Sequence, residues 1–173
     1  VSDTTPGNNS ATDTDTLLAL DFGDAPDSDL GPPWDYPTEL ADDGARHGIV
    51  AGFRLGAVLD SEADGQPTVD ADGDDLNPIG NPDDEDGVSF AGTLVACENA
   101  SVTVTASAIG KLDAFVDFNR DGDFTDPGEK VFDATDLAAG PNALAFAVHC
   151  SATPTAKTFA RFRFSNAGGL GSD

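Results

Sequence analysis

The sequence predicts an all-β protein, an antiparallel β-sandwich with long acidic loops and little helix. Apolar and polar residues alternate with a period of two in four segments of the second half, which is typical of half-buried antiparallel strands. The segments are joined by connections rich in Gly, Pro and Asp, and helix-length periodicity is missing. Residues 133–137 offer at most one or two helical turns.

Each of the four segments places its apolar side chains on one face, which is the face expected to enter the core. The segments are "SVTVTAS", "LDAFVDF", "ALAFAVH" and "TFARFRF". Their apolar positions are Val102, Val104 and Ala106; Leu112, Ala114, Val116 and Phe118; Leu144, Phe146 and Val148; and Ala160, Phe162 and Phe164.

The domain organisation follows from length and from the first residues. A chain of 173 residues is long enough for one domain with a core of its own. Residues 1–19 begin with a polar, Thr-rich stretch without a core pattern and are interpreted as a linker, and residues 20–173 as the domain. The start lacks the charged-then-apolar pattern of a signal peptide, as expected of a mature piece of a larger protein.

The charge of the chain excludes some partners. With 8 Lys and Arg against 32 Asp and Glu, the formal net charge is -24, so nucleic acid is excluded as a partner because phosphate binding needs clustered cations. No run of 18 apolar residues occurs, and direct membrane insertion is therefore not expected. Such charge destabilises a compact state unless cations neutralise it, either at bound sites or diffusely, as in a halophile.

The loop "DFNRDGDFTDPGE" has the spacing of a calcium loop with its last acid displaced. Oxygen-bearing side chains fall at alternate positions, and Gly122 stands where the sharp turn is needed. Gly128 occupies the position of the closing acid, and the bend at Pro127 and Gly128 can return Asp126 or Glu129 instead. The predicted calcium ligands are Asp117, Asn119, Asp121, Asp123, Asp126 and Glu129. The alternative is an acidic hairpin turn without an ion.

A second acidic stretch runs from Asp60 to Asp86 and contains eleven acids in Gly- and Pro-punctuated loops. Halophilic acidity should be spread over every surface, so this concentration favours bound divalent ions, and several Ca²⁺ ions are expected. Spacing alone does not divide the acids among sites. The predicted ligands are Asp60, Glu62, Asp64, Asp70, Asp72, Asp74, Asp84 and Asp86.

The two cysteines, Cys97 and Cys150, each lie beside a strand-like run. Two cysteines are too few for a scaffold built on disulfides. A chain without Met and rich in Thr, Gly and Asp is typical of an extracellular protein, and the number of cysteines is even. Both observations favour a disulfide between Cys97 and Cys150 over two free thiols.

Catalytic signatures are missing from the sequence. No "GxSxG" turn is present, nor a Gly-rich phosphate loop followed by Lys, and each of the two histidines lacks zinc-type partner spacing. A pair of carboxylates can serve as acid and base in glycosidases. However, the chain has one Trp and one Tyr, which are few aromatic side chains for stacking on a sugar. The sequence therefore predicts a protein that is not an enzyme.

Several motifs, taken in order, resemble the module of large bacterial surface proteins often called the GEVED domain. They are "LDFGDAPDS", "GARH", "LGAVLDSEADGQPTVDADGDD", "DDEDGVSF", "LDAFVDFNRDGDFTDPGEKVF" and "FARFRFS". The run is also similar to calcium-dependent ligand-binding domains of repeats-in-toxin adhesins, some of which capture peptides. The resemblance covers Leu20 to Ser165. The "GEVEDY" ending that names the family is missing, which implies a shortened sequence or a terminal strand supplied from elsewhere.

The resemblance implies a calcium-loaded β-sandwich on a long extracellular surface protein. Residues 1–19 are similar in this light to the end of a preceding immunoglobulin-like repeat. The expected function is calcium-dependent adhesion through a peptide or glycan on a host or neighbouring cell, with adjacent domains of the same chain as further partners. The alternative is a structural spacer or strand-exchanging subunit of an extracellular filament or surface layer, and the ligand-binding residues are left open.

Overall fold

The structure, a computed structural model, describes residues 18–73, 85–154 and 157–173. It confirms the prediction of a nearly all-β, sandwich-like fold. The predicted linker at residues 1–19 falls almost wholly outside the described residues, so that boundary stays a prediction. The strands are β1 (Leu20–Phe22), β2 (Arg46–Gly48), β3 (Val88–Phe90), β4 (Asn99–Ala106), β5 (Gly110–Val116), β6 (Lys130–Leu137), β7 (Gly140–Ala147) and β8 (Ala160–Ser165). Short 3₁₀ turns lie at Ser28–Leu30, Leu40–Asp42 and Glu85–Gly87. The helical turn that the sequence offered at residues 133–137 is wrong, since these residues belong to β6 and pair with β5 in the ladder.

The strands form three antiparallel sheets. Two three-stranded sheets, in the orders β3-β4-β7 and β6-β5-β8, pack face to face, and β1 pairs with β2 in a separate ribbon. The main core between the two larger sheets contains the apolar face predicted for each of the four alternating segments, partly buried Leu144 and Phe162 included and exposed Ala160 excepted. Period-two alternation therefore identified the core-facing side chains because each sheet buries one face against the other.

Strand β5 is buried on both faces, which the alternation did not predict. Leu112 and Ala114 point into the sandwich, whereas Phe115 belongs to a second cluster on the opposite side of the sheet. That cluster also contains Tyr36, with partly buried Trp34 packed against it. The N-terminal loops thus form a second layer over the β6-β5-β8 sheet.

The second layer also covers two arginines of β8. Arg161 and Arg163 point away from the sandwich, and each is less than a tenth exposed. Arg161 Nη2 donates to Pro37 O at 2.9 Å, and Arg163 Nη1 donates to Gly171 O at 3.0 Å. Burial is the main cause that lowers the pKa of Arg161, to about 10. These guanidinium groups therefore fasten the N- and C-terminal segments to the sheet.

The predicted disulfide is present between Cys97 and Cys150, with the two Cα atoms 4.4 Å apart. It joins the chain ahead of β4 to the chain after β7, where Cys97 N donates to Val148 O at 3.1 Å. A cross-link with a sequence separation of 53 stabilises the fold by about 4 kcal/mol in the chain-entropy model.

In the part of the chain that the structure describes, no helix has the length and apolar character needed to cross a membrane.

Candidate metal centre and adjacent groove

The candidate metal centre lies in the hairpin loop that joins β5 to β6. Val116 N donates to Glu129 O at 2.9 Å, so the pairing of the two strands continues up to the mouth of the loop. Asp117 and Glu129, the first and last residues of the loop, are consequently held next to each other. The register of the hairpin, rather than the spacing along the chain, brings these two acids together.

A tight turn closes the loop at its C-terminal end. Glu129 N donates to Asp126 O at 3.1 Å, and Gly128, the third residue of this turn, has a φ of 99°. A positive φ at that position with Pro127 before it is typical of a type II turn. The turn directs Glu129 back toward Asp117, one of the two outcomes that the sequence left open.

Gly122 supplies the sharp bend that the sequence predicted at this position. Its φ is 101°, and a Cβ atom there would collide with Pro33 O. Gly122 O accepts from Asp35 N at 3.1 Å. The bend is therefore fixed from both sides, by the backbone conformation of the loop and by the second layer packed on it.

Three carboxylates converge within the loop. Asp117, Asp121 and Glu129 each place one oxygen within 4.8 Å of the other two. Asp117 and Glu129 are buried, and Asp121 is exposed. The group is thus anchored in the protein interior and open to solvent on the side of Asp121.

Hydrogen-bond donors hold the Asp117 carboxylate in place. Tyr36 Oη donates to Oδ2 at 2.5 Å, Gly122 N donates to Oδ2 at 3.1 Å, and Arg120 N donates to Oδ1 at 2.5 Å. Burial, followed by the hydrogen bond to Asp117, raises the pKa of Tyr36 above its ordinary value, so the phenol keeps the proton that it donates. Three donors therefore fix the orientation of this carboxylate.

Glu129 is the electrostatically unfavourable member of the group. Its two oxygens accept from Phe118 N at 3.0 Å and from Asp126 N at 3.2 Å. Burial is nevertheless the largest cause that raises the pKa of Glu129, to about 7, and the charge of Asp117 raises it further. A cation beside both carboxylates would offset burial and repulsion together.

The chemistry of this donor set fits a hard divalent cation. Carboxylate oxygens are the ligands that Ca²⁺, Mg²⁺ and Mn²⁺ prefer, and Ca²⁺ tolerates irregular geometry. Two buried acids fixed by backbone N–H groups and one solvent-exposed acid supply ligands while leaving room for water or another oxygen. The described residues of the loop can therefore hold a metal ion.

The other predicted ligands of the loop make contacts of a different kind. Asn119 Nδ2 donates to Asp121 Oδ2 at 2.7 Å and also to Asp126 Oδ2. Asp123 Oδ1 accepts from both the backbone N and the Oγ1 of Thr125, each at 2.7 Å. Asn119 and Asp126 thus surround the three-carboxylate group, whereas Asp123 caps a local turn. Their coordination of an ion stays a prediction.

The first acids of the Asp60–Asp86 stretch lie beside β1. Glu62 Oε2 accepts from Phe22 N at 3.0 Å. Burial, with the neighbouring Asp60 and Asp21, raises the pKa of Glu62 to about 7. Asp64 is directed elsewhere, since its Oδ1 accepts from Leu40 N at 2.6 Å.

The remaining described acids of this stretch are dispersed. Asp70 forms an ion pair with Lys157 at 2.7 Å, Asp72 accepts from Thr68 Oγ1 at 2.8 Å, and Asp86 accepts from Ala57 N at 2.8 Å. Asp74 and Asp84 lie outside the described residues. Asp70, Asp72 and Asp86 thus occupy separate surroundings, and the binding of calcium by the acids of this stretch stays a prediction.

A second convergent group was missed by the sequence reasoning. Asp27, Glu39 and Asp42 also place carboxylate oxygens within 4.8 Å of one another and can hold a metal ion. Buried Asp27 accepts from Thr38 N at 2.8 Å and from Glu39 N at 3.1 Å. Burial is the first cause that raises the pKa of Glu39. Loop folding brings Asp27 to Glu39 and Asp42, which lie 12 and 15 positions further along the chain, so no local spacing signalled the group.

A groove of about 1030 Å³ opens next to the three-carboxylate group. It runs between the loop after β3 and the segment that leads into β8, and Asp117 and Phe118 form part of its lining. Phe90 and Val95, also in the lining, are 38% and 48% exposed. The groove thus combines exposed apolar surface with a residue of the candidate metal centre.

No family model, curated protein or solved structure matches the chain.

Proposed function

We propose that this chain is a calcium-dependent ligand-binding module of a secreted or cell-surface bacterial adhesin. Its ligand is a peptide or glycan on a host or neighbouring cell surface. Adjacent domains of the same long chain are further partners, and the location is extracellular. The chain is proposed to act by binding and not as an enzyme.

The observation that carries this proposal is the position of Asp117. This residue belongs to the three-carboxylate group with Asp121 and Glu129, and it also lines the large groove. A Ca²⁺ ion held there fixes the hairpin loop and hence one wall of the groove. Because Ca²⁺ takes six to eight oxygens, three carboxylates leave positions that a ligand oxygen or water completes.

A structural role is the second candidate, and a different observation favours it. Among the described residues, β3 and β8 each pair on one side only, and an unpaired strand edge can receive a strand from another chain. In this alternative the module is a spacer or a strand-exchanging subunit of an extracellular filament or surface layer.

The calcium part of the proposal is tested by calorimetric titration of the parent chain and of Asp121→Asn. The variant removes one ligand charge while keeping the shape of the side chain, so we expect one Ca²⁺ site to weaken by at least about tenfold while any others keep their affinities. Asp136→Asn is the matched control, since Asp136 is an exposed acid paired with Lys111. Identical titrations of parent and Asp121→Asn would refute this site.

The binding part is tested by probing a peptide and glycan array with and without EDTA, alongside sizing of the purified chain. Calcium-dependent capture by a monomer supports the adhesin module. Ordered multimers that capture nothing from the array would favour the structural alternative.

A further inference from the structure

The outer edge of β8 carries backbone groups that no described strand satisfies. The hydrogen bond from Asp117 N to Phe159 O, 3.2 Å long, fixes which residues of this segment bond to β5. In an antiparallel ladder such residues alternate, so every second residue turns its N–H and C=O away from β5. With the register observed, the outward residues are Ala160, Phe162 and Phe164.

These outward groups face a cleft of about 550 Å³, a volume within the range of ligand pockets. The β1-β2 ribbon lies on one side of the cleft, and β3 with residues 53–55 lies on the other. Phe53 stacks on Phe164 with ring centroids 4.3 Å apart, and Phe90 meets Phe162 at 5.9 Å. The cleft therefore lies along the outer edge of β8, between these two groups of residues.

The edge also lacks the features that normally protect an exposed strand. Strand β8 reads "ARFRFS" and has no proline and no lysine, the residues that proteins commonly place on edges to block pairing. Its two arginines are buried under the second layer and do not guard the open side. The edge is therefore competent to pair.

Among the described residues, Arg54 in the cleft has no acidic partner, although the net charge of the chain is -24. Arg54 lines the cleft, and its Nε donates to Ala57 O at 3.1 Å. Within residues 18–73, 85–154 and 157–173, its terminal nitrogens have neither a hydrogen bond nor an ion pair. An accessible guanidinium end beside an apolar cleft is suited to a carboxylate, which it can bind through two parallel hydrogen bonds.

We propose that β8 accepts an extended peptide as an added strand, with an acidic side chain of the peptide bound by Arg54. The inference rests on the proposed ligand-binding function, commits it to a peptide, and places that peptide in the cleft beside β8, which shares Phe90, Phe159 and Ala160 with the groove that Asp117 lines. Outward N–H and C=O groups recur every second residue, about 7 Å apart along a strand, and a peptide backbone matches that repeat whereas a glycan does not. Alternate side chains of the added strand would lie against Phe90 and Phe162.

The probe is a synthetic array of acetylated, amidated heptapeptides in which valine alternates with threonine and the central residue is glutamate, glutamine or lysine. We expect the glutamate peptides to bind the calcium-loaded chain about tenfold more tightly than the glutamine peptides, because a charge-assisted pair is lost. Copies that are N-methylated at alternate residues should lose binding. Amide exchange at Ala160, Phe162 and Phe164 should slow when the peptide binds.

Two pairs of variants distinguish strand addition from nonspecific peptide binding. Ala160→Pro removes an outward N–H at an exposed position, which an edge strand tolerates, and should weaken binding about tenfold. Ala160→Thr keeps that N–H and should keep the affinity. Arg54→Gln should abolish the preference for glutamate over glutamine, whereas Arg54→Lys should retain part of it.

Several results would overturn the inference. The first is equal binding of the N-methylated and unmethylated peptides. The second is slow exchange of the three outward amides before any peptide is added. The third is a dimer of the parent chain that dissociates in Ala160→Pro, because a second copy of the chain would then occupy the edge. Melting the same samples with calcium and with EDTA separates the two proposals. Calcium stabilisation without peptide binding overturns strand addition alone. Peptide binding without calcium stabilisation supports strand addition and overturns the calcium-dependent function.

Discussion

The loop between β5 and β6 and the long connection between β2 and β3 are both rich in acids, yet their carboxylates end in different arrangements. In the hairpin loop, Asp117, Asp121 and Glu129 converge. In the long connection, Asp70 pairs with a lysine and Asp86 binds a backbone N–H far from it in the chain.

The difference lies in what the two ends of each stretch are attached to. Strands β5 and β6 are paired neighbours, so the loop that joins them must bring its first and last residues together. Strands β2 and β3 belong to different sheets, and nothing in the ladder makes their connection return to its start. In the described part of the long connection, acid content alone therefore does not bring three carboxylates together, whereas the pairing of β5 with β6 does so in the hairpin loop.

The largest effect is expected from Gly122→Ala, which should break the convergence in the hairpin. The new Cβ would collide with the backbone at Pro33, and alanine is strained at a φ of 101°. We expect a loss of about 3 kcal/mol, or roughly 6–12 °C in Tm, measured by thermal unfolding. Gly140→Ala is the control, because Gly140 has a φ of 96° but open space around it, and should cost about 1 kcal/mol. Equal losses would show that the contact with the second layer is unimportant.

The next effect is expected from Glu129→Gln, which removes a buried carboxylate of the candidate metal centre from the hairpin and leaves the long connection intact. If Ca²⁺ is present at a hundredfold excess over Kd, the variant should lose about 2.7 kcal/mol of calcium-dependent stabilisation. The measurement is the difference in unfolding free energy between calcium and EDTA. Glu62→Gln, in the long connection, should keep the hairpin increment. An unchanged increment in Glu129→Gln would contradict the assignment.

A smaller effect is expected from pH in the presence of EDTA. The folded-state pKa values of Glu129 and Glu62 are both raised to about 7, chiefly by burial, from an ordinary value of 4.5. A carboxyl group whose pKa is higher in the folded than in the unfolded state contributes stability at low pH. This contribution is complete below the unfolded-state pKa and is lost as pH rises through the folded-state pKa. Stability should therefore fall between pH 4.5 and 7, by about 1 kcal/mol for each group after solvent screening.

Calcium should separate the two glutamates in the same pH series. An ion in the hairpin should remove the part of the pH dependence of the unfolding free energy that is due to Glu129. The part due to Glu62 should persist unless an ion also binds near Asp60. Denaturant titrations of the parent, Glu129→Gln and Glu62→Gln at each pH measure the two parts. A slope that is the same in all three proteins would rule out both glutamates as its source.

The smallest effect is expected from Asp70→Asn in the long connection. Asp70 and Lys157 form an exposed ion pair, with side chains 69% and 40% exposed, and such pairs contribute about 0–1 kcal/mol. We expect a change within about 0.5 kcal/mol with or without calcium. A large loss that appears only in calcium would place an ion at Asp70 and weaken the contrast between the two stretches.

Part of the candidate site was predictable from sequence, and part was not. Spacing identified Asp117 and Asp121 as candidate ligands, and the Pro127-Gly128 bend indicated that Glu129 or Asp126 would return. Tyr36, which donates to Asp117 from 81 positions away, carried no local signal. The Asp27, Glu39 and Asp42 group was missed for the same reason, since its members meet through loop folding.

The sequence by itself determined four of the strands, β4, β5, β7 and β8, and which of their faces enter the core, because a two-residue repeat is a local property that any sheet must satisfy. It did not identify β6, whose residues 133–137 were expected to offer a helical turn. It also favoured the disulfide between Cys97 and Cys150, which the structure confirms. Only the tertiary structure decided that the outer face of β5 is covered by a second layer, which carboxylates meet, and that the outer edge of β8 has no described partner. These features depend on pairing and packing between residues far apart in the chain, and local patterns do not encode that information.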